Sequence, residues 1–196
     1  MKIIVAAVFT ILSFGFAQTS FTLDPEGTEA RFYIEEVLLG KDKTVIGVTS
    51  DVTADIMFDR ANPATATLGT VTINARELAT DDNRRNGQIQ RRILQSNNDE
   101  YQFITFMPTL IEGLPEATSV GDTFELQITG DLTIKGVTNE VVFMTNVIVA
   151  SETELDGLGS TIVNFKDFDI SVPTVPIVTG LEEEVKLELA FKAVAQ

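Results

Sequence analysis

The chain has 196 residues, enough for one domain with a sizeable core. Its formal net charge of −15 at pH 7 disfavours nucleic acid and anionic membrane surfaces as partners, since both repel it. The sequence contains neither histidine nor cysteine, which removes the commonest general base, the Ser-His and Cys-His nucleophiles and the usual zinc ligands. Disulfides are also excluded, so packing and hydrogen bonds must hold the fold.

The first residues have the three parts of a secretory signal. A short positive start precedes the apolar run Ile3–Leu12, and the small residues Gly15 and Ala17 stand where a signal peptidase reads the chain. The apolar run is shorter than the roughly 20 residues that a membrane span needs. We therefore expect a cleaved signal peptide over residues 1–17 and a mature domain over residues 18–196. We also expect export to the periplasm or beyond, with no integral membrane segment after cleavage.

Alternating apolar and polar residues predict strands along most of the mature chain. The predicted strands cover residues 21–23, 30–35, 44–59, 67–74, 101–107, 123–134, 140–149, 160–165 and 185–193. Val37–Gly40 breaks the two-residue period and predicts a helical turn or a bulge, and Pro108 predicts a surface loop. Strands joined by short connections, most of them without an intervening helix, indicate an antiparallel sandwich or barrel. A barrel of about eight strands can hold one small apolar ligand or be packed solid, and periodicity does not separate these two.

The stretch Arg76–Leu94 departs from this strand pattern and predicts a short helical insert. It carries five of the fourteen basic residues of the chain. Thr80 or Asp81 is the predicted N-cap, with acidic residues in the first turn and arginines further on, as the helix dipole favours. Gly87 in the middle costs roughly 1 kcal/mol relative to alanine, so we expect two short helices or one kinked helix.

The segment Gly130–Phe143, with the sequence GDLTIKGVTNEVVF, resembles the signature hairpin of the YceI-like family. The family pattern is GxLTIxGVT, a short polar pair and VxF. Other segments resemble family elements in the right order: Glu29–Ile34 the opening strand, Gly47–Asp59 the second strand, Asn74–Thr80 followed by Arg84–Leu94 the helical insert, Tyr101–Phe106 the PxITF strand and Asp167–Ile170 the DFGI element. The resemblance covers essentially the whole mature chain.

The resemblance implies an all-β fold, an antiparallel lipocalin-like β-barrel of about eight strands with a short helical insert. Family members bind a long polyisoprenoid chain, such as a polyprenyl phosphate or an isoprenoid quinone, in an apolar channel. It therefore implies non-enzymatic storage or transport of an isoprenoid lipid, without a further cofactor, and leaves room for a homodimer. The chain departs from the pattern at Gly27–Ala30 and Glu35-Glu36, where many members have histidines, and at Asp169, where the DFG glycine is replaced. The first two departures bear on any head-group or redox role of those histidines.

The inward faces of the predicted strands supply the candidate residues for an apolar lining. They are Phe32, Ile34, Val52, Ile56, Phe58, Val71, Ile73, Ile104, Phe106, Phe124, Leu126, Ile128, Val141, Phe143, Leu187, Leu189 and Phe191. Apolar stripes usually form a solid core, which is the alternative interpretation of this set. A channel for a prenyl chain requires only an apolar wall, because burial of hydrocarbon contributes roughly 25 cal/mol per Å².

The arginines of the insert are the candidates for contact with a lipid head group: Arg84, Arg85, Arg91 and Arg92. Arg84 and Arg91 are seven residues apart, as are Arg85 and Arg92, so each pair could share one helix stripe. Ile89 and Ile93 would then face the barrel. One interpretation is a cationic gate that meets a phosphate or pyrophosphate. The other is a solvated helix face with Glu77, Asp81 and Asp82 as local ion partners.

Two further classes complete the alternatives. An enzyme that uses two carboxylates is disfavoured because neighbours such as Glu35 and Glu36 point to opposite faces of a strand. A calcium site is disfavoured because the acidic loops lack the spaced ligands that such sites need. We therefore expect no catalytic residue and no metal site. The competing non-enzymatic hypothesis is a solid-cored secreted β-domain that acts in surface interaction or stress protection without a lipid.

Overall fold

The computed structural model describes residues 18–173 and 176–196, so the expected signal peptide lies outside the described residues. The strands are β1 Thr19–Leu23, β2 Glu29–Leu38, β3 Lys41–Thr49, β4 Val52–Thr53, β5 Asp55–Phe58, β6 Thr67–Leu68, β7 Val71–Asn74, β8 Phe103–Glu112, β9 Thr123–Ile134, β10 Val137–Val149, β11 Glu154–Asn164 and β12 Val178–Ala195. The helical elements are α1 Asn83–Gln88, a π-helical turn Ile89–Ile93, and 3₁₀ turns Pro63–Thr65, Asp99–Tyr101 and Phe165–Phe168. In this part of the chain no helix is long and apolar enough to cross a bilayer.

The twelve strands of the described residues form one curled antiparallel sheet. Its order is β4–β7–β8–β9–β10–β11–β12–β1–β5–β6, with β2 beside β12 and β3 beside β2. The long strand β12 pairs with β11 on one side, and on the other side first with β2 and then with β1. Although β4 and β5 stand near opposite ends of the order, only Ala54 separates them in the chain, so the ends of the sheet come together. The predicted antiparallel barrel fold is confirmed.

Two tight hairpin turns explain where the predicted strand ends were wrong. Leu39 and Gly40 have φ of 52° and 77°, and Lys135 and Gly136 have φ of 51° and 78°. Positive φ at both central residues is the signature of the two-residue turn that matches strand twist. The expected helical turn or bulge at Val37–Gly40 is therefore a β2–β3 hairpin turn. In the second hairpin β10 starts directly after Gly136.

Two other predicted boundaries fail for local reasons. The single strand expected over residues 44–59 breaks after Thr49, whose hydroxyl accepts a hydrogen bond from the Asp51 amide at 3.1 Å and so turns the chain. Pro108, expected in a loop, lies inside β8. The register of β8 against β9 shifts between Pro108 and Leu110, and such a bulge is where a sheet tolerates a residue without an N–H.

The two ends of the barrel are built differently. At one end Phe21, Phe58, Val149, Leu155 and Ala193 are almost fully buried, and we call this group the floor cluster. The other end carries both hairpin turns, the helical insert and the Phe165–Phe168 turn. A larger apolar cluster with members on β7 to β11 lies along the wall between them.

Asp169 ends the Phe165–Phe168 turn in the left-handed conformation, with φ 51° and ψ 31°. It stands where the DFGI element that this segment resembles has glycine, and only glycine adopts this conformation without steric cost. We expect Asp169→Gly to raise the free energy of unfolding by about 0.5–1 kcal/mol in urea denaturation followed by circular dichroism. The control is Asp167→Gly in the same turn, which should destabilise the protein. A lower stability for Asp169→Gly would contradict this account.

Candidate functional site

A cavity of about 1040 Å³ lies inside the curled sheet, and most of its wall is apolar. Fifteen of the seventeen candidate lining residues line this cavity: Phe32, Ile34, Ile56, Phe58, Val71, Ile73, Ile104, Phe106, Phe124, Leu126, Ile128, Phe143, Leu187, Leu189 and Phe191. The other two do not line it. Val52 is buried in the larger apolar cluster, and Val141 packs against that cluster from β10. Their contact with a ligand, like that of the other fifteen, remains a prediction.

The cavity ends against the floor cluster. Phe58 belongs to that cluster, and its ring stacks with the ring of Phe124 at a centroid distance of 6.4 Å. Both residues line the cavity, as does Leu155 from the start of β11. These side chains form an apolar bottom at the end of the barrel where β1 meets β12.

Several residues that line the cavity are not among the candidates taken from the inward faces of the predicted strands. Phe165, Phe168 and Ile170 come from the turn after β11 and the residues that follow it, and all three are buried. Phe168 is 1% exposed. Phe165 ends the strand predicted over residues 160–165, and the two-residue period predicts no strand directly after it. The resemblance of Asp167–Ile170 to the DFGI element was the signal that this following segment packs inward.

The helical insert begins at an aspartate. The carboxylate of Asp82 accepts hydrogen bonds from the amides of Arg84 at 2.7 Å and Arg85 at 3.0 Å, and these bonds lower its pKa. The predicted caps Thr80 and Asp81 are therefore wrong. The Thr80 hydroxyl instead pairs with Asn86 at 2.7 Å.

A π-helical turn follows α1 and changes the direction of the arginines. The amide of Leu94 donates to the carbonyl of Ile89 at 2.8 Å, a bond across five residues that widens the turn. Arg84, Arg85 and Arg92 line the cavity, whereas Arg91 does not: its guanidinium packs over Gly87. The predicted seven-residue stripe is therefore wrong for Arg84 and Arg91. Ile89 and its neighbour Ile93 do face the barrel.

Glu36, Arg85, Asp81 and Lys43 form a chain of ion pairs that attaches the insert to the β2–β3 hairpin. Arg85 contacts Glu36 at 3.2 Å and Asp81 at 2.6 Å, and Lys43 contacts Asp81 at 2.9 Å. Lys43 and then Arg85 lower the pKa of Asp81. The Glu36 side chain is only 9% exposed, so Arg85 is the counter-ion of a nearly buried carboxylate.

The local-partner interpretation of the arginines therefore holds for Arg85. Among residues 18–173 and 176–196, the side chains of Arg84 and Arg92 make no ion pair within 4 Å. Both are exposed to solvent and both line the cavity, so the cavity reaches solvent beside them. We call this opening the mouth. Its rim also includes the apolar residues Leu38 and Ile177.

Glu35 and Glu36 do not form a common site. Glu35 accepts a hydrogen bond from the Thr44 hydroxyl at 2.8 Å on the exposed face of β2, whereas Glu36 turns to Arg85. The described residues contain no group of three or more acidic side chains arranged to hold a metal ion.

Comparison with known proteins agrees with this architecture. A family model described as the YceI-like domain matches residues 21–193. The chain is 28% identical over 181 residues to a UPF0312 protein of Ectopseudomonas mendocina, covering 90% of this chain and 87% of that protein. Among solved structures, a polyisoprenoid binding domain from Saccharophagus degradans matches with a TM-score of 0.68 and 12% identity, over 91% of this chain and 99% of that one. Burkholderia cenocepacia BcnA matches with a TM-score of 0.66 and 19% identity, over 88% and 99%.

The two structural likenesses establish the fold, and the family match spans nearly the whole described chain. The signature hairpin residues Gly130–Phe143 lie in β9 and β10, at the wall of the cavity. The chain belongs to the YceI-like family.

Proposed function

We propose that this protein binds a long-chain isoprenoid lipid, a polyprenyl phosphate or an isoprenoid quinone, and stores or transports it without catalysing a reaction. The observation that carries the proposal is the apolar cavity of about 1040 Å³ inside the sheet. The relative from Saccharophagus degradans is described as a polyisoprenoid binding domain, which supports the same class of ligand. The signal-like first seventeen residues support export to the periplasm or beyond.

The size and chemistry of the cavity suit a long hydrocarbon. Its volume corresponds to about 35 water-sized groups at roughly 30 Å³ each, at the upper end of ligand pockets. Burial of such a chain contributes roughly 25 cal/mol per Å² of apolar surface, so no specific polar contact is needed along its length. A solid-cored domain, the alternative hypothesis, is disfavoured by a cavity of this size.

The mouth favours an anionic head group over a neutral one. Arg84 and Arg92 line the cavity where it meets solvent, and guanidinium groups pair well with phosphate oxygens. Arg85 is already engaged with Glu36 and Asp81. We therefore prefer a polyprenyl phosphate as the ligand, with Arg84 and Arg92 as its head-group contacts.

Two measurements test this proposal. Organic extraction of the purified protein followed by mass spectrometry should release a prenyl species; a protein that co-purifies with no lipid and binds no prenol in titration would refute the proposed function.

The double variant Arg84→Ala/Arg92→Ala tests the head-group contacts by titration. It should lower the affinity for geranylgeranyl phosphate by at least about tenfold and leave the affinity for geranylgeraniol nearly unchanged. Arg91→Ala is the matched control, because Arg91 is on the same insert but does not line the cavity. An equal loss of affinity for both ligands would contradict the assignment of Arg84 and Arg92 to the head group, but it would leave the proposed lipid binding intact.

A further inference from the structure

Two aromatic rings of the cavity wall lie across glycines of the neighbouring strand. Phe32 on β2 is paired with Gly47 on β3, and Phe191 on β12 is paired with Gly157 on β11. A Cβ atom at Gly47 would overlap the ring of Phe32, and one at Gly157 would overlap the ring of Phe191. Each ring therefore occupies the space that a side chain on the opposite strand would take.

A third ring, Phe106, lies against Gly130 in the same way, with a Cβ there only 2.7 Å from ring atoms. At this glycine and at Gly157 a backbone carbonyl is also close: Met107 O at 2.5 Å and Asn146 O at 2.7 Å. Gly47 differs, because its three nearest atoms all belong to the ring of Phe32. A methyl group at Gly47 thus acts on the ring first, which makes this pair the cleanest one to test.

The arrangement has a direct consequence for the free volume of the cavity. Side chains on a strand stand roughly perpendicular to the sheet, so an inward phenylalanine ordinarily projects into the barrel. A ring that lies across a glycine instead covers the wall, which is how sheets compensate for a missing side chain. Phe32, Phe106 and Phe191 all line the cavity, so their inclination contributes to its width.

We propose that Gly47 and Gly157 are specificity-determining residues of the lipid site, because they let Phe32 and Phe191 lie against the wall and keep the cavity wide. This inference rests on the proposed function. The chemical class that it selects is the methyl-branched hydrocarbon chain, which is wider than an unbranched chain of the same carbon number. A ring moved into the cavity excludes the branched chain first.

The test compares geranylgeraniol with eicosanol, its unbranched counterpart of the same carbon number, on the full mature chain. Gly47→Ala should lower the affinity for geranylgeraniol by at least about tenfold, the size of a typical overpacking effect, and should lower the affinity for eicosanol much less. Gly47→Ala/Phe32→Leu removes the ring that the methyl group displaces, so it should restore binding of geranylgeraniol to the wild-type level. The matched control is Gly69→Ala, at a glycine outside the cavity lining whose Cβ would have its three nearest atoms in Asp55, the closest at 3.3 Å, and it should change both affinities by less than about threefold.

Each result decides one point. If the wild-type protein binds neither alcohol, the proposed function fails. If the wild type binds geranylgeraniol and Gly47→Ala binds it equally well, or loses both alcohols equally, the role of the glycine is overturned and the lipid site stands. Should Gly47→Ala fail to fold, the double variant decides: wild-type binding supports the inference, and failure to fold or to bind overturns it.

Discussion

Replacing Phe168 with alanine is expected to lower the free energy of unfolding by about 3–5 kcal/mol, the usual cost of removing a buried phenylalanine. Its side chain is 1% exposed and belongs to the larger apolar cluster. The surrounding turn is tied to the β9–β10 hairpin, since Asn139 donates to the Asp167 carbonyl at 2.8 Å. The neighbours of Phe168 therefore have little freedom to collapse into the space that it leaves.

Urea denaturation followed by circular dichroism measures this loss. The matched control is Phe103→Ala at the start of β8, because Phe103 is 46% exposed and should cost about 1 kcal/mol or less. Similar losses for the two variants would mean that the Phe165–Phe168 turn is only loosely attached to the barrel.

The second large effect is expected at the ion pair between Arg85 and Glu36. Arg85→Leu leaves the nearly buried Glu36 carboxylate without its partner, which should destabilise the protein by about 2–3 kcal/mol, somewhat less than for a fully buried pair because Arg85 is 22% exposed. Glu36→Leu/Arg85→Leu removes both charges and should be more stable than the single variant. The comparison in urea isolates the unpaired charge from lost packing.

Lys43→Leu provides the control for the outer part of the same ion-pair chain. Lys43 and Asp81 are 31% and 62% exposed, so loss of their pairing should cost about 1 kcal/mol or less. If Glu36→Leu/Arg85→Leu is as unstable as Arg85→Leu, the contribution of Arg85 to stability comes from its packing and not from its charge.

The alternation of apolar residues was sufficient to predict the fold class, because one face of each long strand must be buried. It was insufficient at Thr49 and Pro108, where a side-chain hydrogen bond and a bulge decide the strand bounds. These are local features that periodicity does not encode. The resemblance at Gly130–Phe143 identified the family independently of these boundaries.

The candidate site was predictable to a different degree in its wall and its mouth. Inward faces follow from the two-residue period, so most lining residues could be named, but whether they enclose a cavity depends on ring orientations such as that of Phe32. At the mouth, the spacing of seven residues predicted that Arg84 and Arg91 share one stripe of a regular helix. The π-helical turn breaks that spacing, and its hydrogen bond between Ile89 and Leu94 has no signature in the sequence.

The pairing of β12 has a consequence for the order in which the chain can fold. This strand follows all the other described strands along the chain, yet it is the neighbour of β11, β2 and β1. Without it the sheet order separates into three groups: β4 with β7 to β11, β1 with β5 and β6, and β2 with β3. The first and last strands of the barrel are thus joined by contacts of very high sequence separation, which form late. The barrel can close only after β12 has been synthesised, and until then it stays open along its length.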